Sequence, residues 1–328
     1  MKAAFFIALR FDAYLKGMVG IFGIDSLVRY VGGLLQIVTS VTVFGQFAGF
    51  LSALNPRLKE YFYLTELKST PNDGKKIKKI ENIVFENVSF CYDDAMPNVL
   101  NQISIQIPIG ERIAIVGENG SGKTTFIKLL CGLHPLNEGR ILVNGEDIRS
   151  YDESEYRKMF SVIFQDFNLF SFPLGENIVG NQSYDDESVF KVLRKVGFSN
   201  RLERMHKGLE SYLYRDCDPN GIEISGGEAQ KLSLARALYK NAPVIVLDEP
   251  TAALDPFAEQ EFYLKFDELI GDKTVLYISH RLSSCYFCNK IAVFDQGRLV
   301  QFGSHEELLA DNKGKYFELW NAQAKYYV

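Results

Sequence analysis

From Tyr30 to Leu54 the chain runs for 25 positions without a charged side chain. A helix of that length is about 38 Å long, more than the ~30 Å hydrocarbon core of a bilayer. Arg29 and Arg57 bracket the run. Gly45 and Gly49 stand four apart within it, the spacing of a small-residue face for close helix packing. A buried core helix rarely stays uncharged for so long, so the pattern predicts a membrane span over 30–54. Phe5 to Ile24 is also apolar but is broken by Arg10, Asp12 and Lys16. It reads as a poor span, the end of one, or an amphipathic segment. No small-residue cleavage site follows a clean apolar run, which argues against a secretory signal.

Beyond the span the pattern changes twice. Arg57, Lys59, Lys68, Lys75, Lys76, Lys78 and Lys79 form a basic cluster, which places the C-terminal side of the span in the cytoplasm. Ser69 to Gly74 (STPNDG) has linker composition. The expected organisation is a partial membrane domain over 1–68, a linker over 69–80 and a second domain over 81–328. In that domain Ile83, Phe85, Val88 and Phe90 read as a strand, and Leu100 to Ile107 alternates through Ile103, Ile105 and Ile107.

A short apolar strand, Arg112 to Val116, leads directly into Gly117-Glu118-Asn119-Gly120-Ser121-Gly122-Lys123-Thr124. A helical stretch, Thr125 to Cys131, follows and closes at Gly132. This is a P-loop in its meaningful context of strand, loop and helix. Glycines let successive N–H groups converge on phosphate oxygens, and the helix start adds the positive end of its dipole. Lys123 supplies charge to the terminal phosphates, and the Thr124 hydroxyl is the expected Mg²⁺ ligand. By itself the motif indicates a nucleotide binder.

Such a loop needs a further carboxylate at the end of a buried strand. Val244 to Leu247 are four consecutive apolar residues followed by Asp248 and Glu249. Asp248 is the candidate for the metal and Glu249 the candidate general base for an attacking water. His280 follows another apolar strand, Thr274 to Ile278, whose end should lie at the same crevice. A second anion-facing helix start lies at Ser225-Gly226-Gly227-Glu228, ahead of a helix over Ala229 to Tyr239. There Ser225 is the N-cap, and the glycines leave backbone donors open.

Composition narrows this reading. The net charge of −5 gives no reason to expect a nucleic-acid partner. Five cysteines at irregular spacings do not form a disulfide framework, which suits a reducing compartment. Cys285 and Cys288 form a lone C-x-x-C pair; with no second pair, a packed helical turn explains it better than zinc or redox chemistry.

The ordered set of motifs resembles the ATP-binding-cassette (ABC) transporter family, exporter type, from about Lys79 to the C-terminus. Gly117 to Thr124 resembles Walker A, Ser225 to Glu228 the signature, and Val244 to Glu249 Walker B with its catalytic glutamate. Ala253-Leu254-Asp255 resembles the D-loop, His280 the switch histidine, Gln165 the Q-loop glutamine, and Tyr92 the aromatic that stacks on adenine. The implied fold is α/β, a P-loop cassette with a mixed-sheet core, an antiparallel β subdomain and a helical subdomain, preceded by one or two transmembrane helices. The resemblance implies ATP and Mg²⁺ as ligands. Gly117, Asn119, Gly120, Ser121, Gly122, Lys123, Thr124 and Thr125 would hold the nucleotide with Tyr92. Thr124, Gln165 and Asp248 would serve the metal, and Glu249, His280 and Gln165 the chemistry. Ser225, Gly226 and Gly227 would act on the ATP of a second, head-to-tail cassette, and Asp255 would belong to the nucleotide-binding set. The partner would be another half-transporter, identical or not, and the setting a multi-pass protein of the cell membrane with its cassette in the cytoplasm. Export of a substrate such as a peptide or lipid is the implied activity; a nucleotide-binding partner without transport is the alternative. Another chain that supplies further spans belongs among the expected partners. The signature departs from Leu-Ser-Gly-Gly-Gln at Ile224 and Glu228. Only 102 positions separate Lys123 from Ser225, too few for the coiled-coil insertion of chromosome and DNA-repair ATPases.

Overall fold

The computed structural model describes residues 10–12, 14, 24–66, 74–93, 95–180, 183–250, 263, 264, 266–279 and 281–324. The chain divides into two units, 1–71 and 72–328. In the first, α1 (Ile24–Glu66) is a single helix of 43 residues, about 65 Å long. Among the described residues it contains the one stretch long and apolar enough to cross a membrane, Val28–Thr65, and none of that stretch's most apolar window is buried. Phe44, Phe47 and Phe50 all stand exposed. An apolar surface on all sides suits lipid or neighbouring helices rather than water. The polar side chains inside it are satisfied locally: the hydroxyls of Thr39, Ser40 and Thr42 donate to the carbonyls of Leu35, Gln36 and Val38 at 2.8, 2.9 and 2.8 Å. Such back-bonding removes most of the cost of a hydroxyl in hydrocarbon. The helix continues through Pro56 to Glu66, well past the expected span. Most of Phe5 to Ile24 lies outside the described residues.

The second unit is built on two sheets. The smaller is antiparallel, in the order β2 (Leu100–Ile107), β1 (Ile83–Phe90), β4 (Glu138–Val143) and β5 (Glu146–Asp147). The larger has the order β10 (Arg298–Gly303), β9 (Lys290–Asp295), β3 (Arg112–Gly117), β8 (Thr274–Ile278), β7 (Val244–Asp248) and β6 (Phe160–Ile163). It is parallel except for β10, which pairs antiparallel with β9. Every residue of β7 and β8 is buried, so these strands read as continuous apolar runs rather than alternations. The β3 strand sits between β8 and β9, so its carboxyl end opens mid-sheet, next to the ends of β7 and β8.

The helix α2 (Lys123–Leu130) buries Phe126, Ile127, Leu129 and Leu130. Phe126 stacks on Phe85 of β1 at 4.4 Å, which joins the two sheets in one core. A helical layer, α3 (Leu174–Val179), α4 (Asp186–Lys195) and α5 (Ser199–Leu202), packs with α6 (Gly226–Lys240) around Leu174, Ile178, Leu193, Leu232 and Ala235. The α4 helix starts where its acids predict, with Asp185 capping the N–H of Ser188.

The expected linker is shorter than its composition suggests. From Gly74 onward the backbone is part of the cassette: Lys75 N–H donates to Ser150 O at 2.9 Å, and Ile77 and Ile80 are buried in the core. The division of the chain falls between Pro71 and Asn72. The lysines flanking the two isoleucines disguise them as linker.

Candidate active site

At the end of β3 the backbone takes left-handed values at Gly117 (φ 148°) and Gly122 (φ 99°). A Cβ at Gly117 would run into the carbonyl oxygen of Phe294 on β9, and one at Gly122 into the Leu100 side chain. The loop is therefore seated directly on its neighbours, which only glycine permits. Gly122 is also the N-cap of α2, and no side chain caps that helix. Its first N–H groups thus face the cleft with no side-chain acceptor of their own. Lys123 is buried, and its Nζ donates to Gly117 O at 3.0 Å and Glu118 O at 2.8 Å. Burial pulls its ammonium pKa down, opposed by the carboxylates of Glu249 and Asp248. The Ser121 hydroxyl is buried with no partner among the described residues.

The two acids at the end of β7 have different surroundings. Asp248 is buried and accepts a 3.1 Å hydrogen bond from the Thr124 hydroxyl through Oδ2, while Oδ1 is buried without a partner among the described residues. Burial pushes its carboxyl pKa up, and the Thr124 bond only partly counters this. Glu249 has φ 53°, uncommon for a side-chain-bearing residue, and its N–H donates to Ile278 O at 3.0 Å. Its Oε2 accepts from Gln165 Nε2 at 2.9 Å. Two adjacent carboxylates thus have different partners, Thr124 for Asp248 and Gln165 for Glu249, across one left-handed step of the backbone.

Asn119, Gly120, Gly122, Lys123, Thr124, Thr125, Gln165 and Glu249 line one cleft of about 380 Å³, together with Val99, which the sequence did not mark. Tyr92 is half-exposed; its hydroxyl lies 3.0 Å from the Thr125 hydroxyl, and its ring packs edge-on against Phe90 and His134. One face of the loop is braced from afar: Lys315 Nζ lies 2.8 Å from Glu118 Oε1. His280 and Asp255 lie outside the described residues.

Ser225, Gly226 and Gly227 do not line this cleft. They begin α6, three residues earlier than the predicted helix, and all three are exposed. The start is a full capping box: Ser225 Oγ accepts from Glu228 N–H at 3.3 Å, and Glu228 Oε2 accepts from Ser225 N–H at 2.9 Å. The unusual Glu228 therefore has a local structural use. Arg201, from α5, stands 3.0 Å from Glu228 Oε1 and donates to Glu223 O at 3.0 Å. Burial raises the Glu228 carboxyl pKa, but the bonds from Ser225 and the charge of Arg201 outweigh it and hold the pKa below the ordinary value. Nothing in the sequence flagged Arg201. Further along α6, Gln230 donates to Pro250 O, one residue beyond Glu249.

Residues 100–252 match the ABC transporter family. That segment is an ABC transporter domain. Such a domain implies ATP binding. The subtilin transport ATP-binding protein SpaT of Bacillus subtilis is 40% identical over 256 residues, 77% of this chain and 42% of that protein. The ATP-dependent lipid A-core flippase of Haemophilus ducreyi is 38% identical over 266 residues, 80% and 45% of the two chains. A solved structure of a bacterial Atm1-family ABC exporter with ATP bound superposes with a TM-score of 0.72 at 30% identity, over 92% of this chain and 53% of that one. The chain thus spans about half the length of the relatives it matches. These relatives are a transport ATP-binding protein, a flippase and an ABC exporter.

Proposed function

We propose that this chain is the ATP-hydrolysing part of an ABC exporter, fused to the end of its membrane domain, and that it works as one half of a pair. The observation that carries the reading is the convergence of Lys123, Thr124, Asp248, Glu249 and Gln165 at the carboxyl edge of the parallel sheet.

The uncapped start of α2 and Lys123 hold the phosphates, and Tyr92 offers a half-exposed ring beside Thr125 for the base. The residues fit Mg²⁺: a hydroxyl, a buried carboxylate oxygen without a partner, and Gln165 nearby. Bound by Thr124, Asp248 and Gln165, the ion would neutralise phosphate charge. Glu249 orients the attacking water and accepts its proton, and Gln165 fixes the carboxylate that does so.

The paired arrangement is supported by two glycines at the start of α6. Among the described residues, a Cβ at Gly226 or Gly227 would meet nothing within 4 Å. Glycine in a helix costs about 1 kcal/mol relative to alanine. Two at the exposed start of α6 make physical sense if another molecule approaches the backbone there. The reading assigns that approach to the γ-phosphate held in a partner's P-loop, with Asp255 and His280 completing the interface. The partner is a second half-transporter, and the cassettes lie on the cytoplasmic side of a multi-pass assembly.

The test is ATP-driven uptake into inverted membrane vesicles from cells that produce the chain with its neighbouring membrane segments. Uptake that is lost in Glu249→Gln supports export. Mg-dependent ATP hydrolysis without uptake of any peptide or lipid tried would point instead to a non-transporting nucleotide-binding partner.

A further inference from the structure

The signature of this chain carries a carboxylate, Glu228, three residues past the serine that the paired-cassette reading sets against a partner's γ-phosphate. An uncompensated negative charge there would repel ATP. The helix start tolerates it for its own purposes, because the carboxylate closes the capping box on Ser225. It does nothing, however, to reconcile that charge with an incoming phosphate.

Resting on that reading, we propose that Arg201 is a positioning and charge-compensating residue for the signature, allowing this cassette to use glutamate where an amide is usual. Three contacts join in this role. The Arg201 guanidinium lies 3.0 Å from Glu228 Oε1. It also donates to the carbonyl of Glu223, two residues before Ser225. The Ser225 hydroxyl donates to the other Glu228 oxygen at 2.9 Å. Arg201 therefore grips the signature on both sides of its serine and leaves the serine and glycines exposed. Both members of the pair are largely shielded, with 34% and 26% of their side chains exposed. Arg201, as an ion pair, offsets the Glu228 charge where a partner would dock, with a smaller contribution from Lys231, and the Ser225 hydroxyl is bonded to Glu228. Arg201 comes from the short helix α5, so the signature is tied to the helical layer rather than to the sheet.

The test uses the full chain in lipid nanodiscs with Glu249→Gln as background, and reads the Mg-ATP concentration that half-closes cassette pairs by fluorescence transfer. Arg201→Met should raise that concentration about tenfold, between what an exposed and a buried charge pair contribute. Arg201→Met combined with Glu228→Gln should return to within about twofold of the background. ATP binding by single chains should not follow the same pattern. Arg201→Lys, which keeps the charge, guards against misfolding of the Met variant and should shift closure by less than about threefold. Arg201→Met that closes normally would overturn the proposal. So would a double variant as weak as the single one, since Arg201 would then only brace the backbone at Glu223. A background chain that never pairs with ATP is a separate result, and it overturns the paired-cassette reading and this proposal together.

Discussion

Two helices of this chain begin with glycine and a free face, and they are built in opposite ways. The start of α2 has no side-chain cap, and its glycines are pressed against Phe294 and Leu100. The start of α6 is closed by its own capping box, and a Cβ on Gly226 or Gly227 would meet no described residue within 4 Å. At α2 no side chain takes the first backbone donors, which are left open to water or a ligand. At α6 the box takes the N–H groups of Ser225 and Glu228 and fixes the turn, leaving Gly226 and Gly227 as a preformed, bare surface. One start is a socket for the chain's own nucleotide; the other is a finished face offered outward.

The largest test of that contrast separates chemistry from grip. Glu249→Gln should lower ATP hydrolysis by about 10²–10⁴, the usual contribution of a positioned general base. Nucleotide binding should persist, because Glu249 is not among the groups that hold phosphate. Steady-state phosphate release alongside nucleotide titration checks both. Turnover at the normal rate would mean that another group takes the proton. Lys123→Ala strikes the socket itself and should weaken ATP binding about 100-fold, the scale of a lost charge-assisted hydrogen bond with its point charge. Isothermal titration of the single chain measures it; unchanged affinity would remove the P-loop assignment.

Local features of this contrast were legible in the sequence, and distant ones were not. The strand, loop and helix around Gly117–Lys123 and the run Val244–Asp248 are contiguous, so spacing alone reveals them. Gln165 and Glu249 are 84 residues apart, and their bond exists because β6 and β7 pair in parallel, a register that no local pattern encodes. Arg201 and Glu228 meet only through the packing of the helical layer. The helix over Ala229–Tyr239 was legible, but its first turn was not, because two glycines read as loop until the capping box is seen to hold them. Further along the chain, α1 passes through Pro56. A proline removes one backbone hydrogen bond and crowds the preceding turn, which a long helix can absorb. Where lysines surround Ile77 and Ile80, composition hid two core residues.

The finished face predicts an unusual dissociation of stability from activity. Gly227→Ala places a methyl where nothing stands within 4 Å, so the helix should gain about 0.5–1 kcal/mol. Calorimetry should show a melting temperature higher by about 2–4 °C. Hydrolysis should nevertheless fall about tenfold, because the methyl occupies space a partner's phosphate needs, a clash of one to two kcal/mol in effect. A variant both more stable and fully active would show that the bare face has no partner.

The smallest expected effect concerns the socket without its ligand. Asp248 is buried with one oxygen unpaired, and burial raises its pKa above the ordinary carboxylate value. A carboxyl whose folded pKa is raised contributes stability below its unfolded pKa, and that contribution is lost as pH rises through the folded value. Near neutral pH the ionised, half-satisfied carboxylate therefore weighs against the nucleotide-free fold. Asp248→Asn removes the charge but keeps an acceptor for Thr124. Without nucleotide it should melt about 2–4 °C higher at pH 7, from roughly 1 kcal/mol of relieved desolvation. The gain should shrink toward acidic pH, where the native carboxyl is already protonated. With Mg²⁺ and ATP present the order should reverse, because the wild-type carboxylate then has a cation to meet. Melting curves at two pH values, with and without Mg-ATP, give all four points. If Asp248→Asn gains the same stability in every condition, burial alone explains the residue. If the difference changes sign with the ligand, the unpaired oxygen is strain held for the metal, and the socket is unfinished by construction.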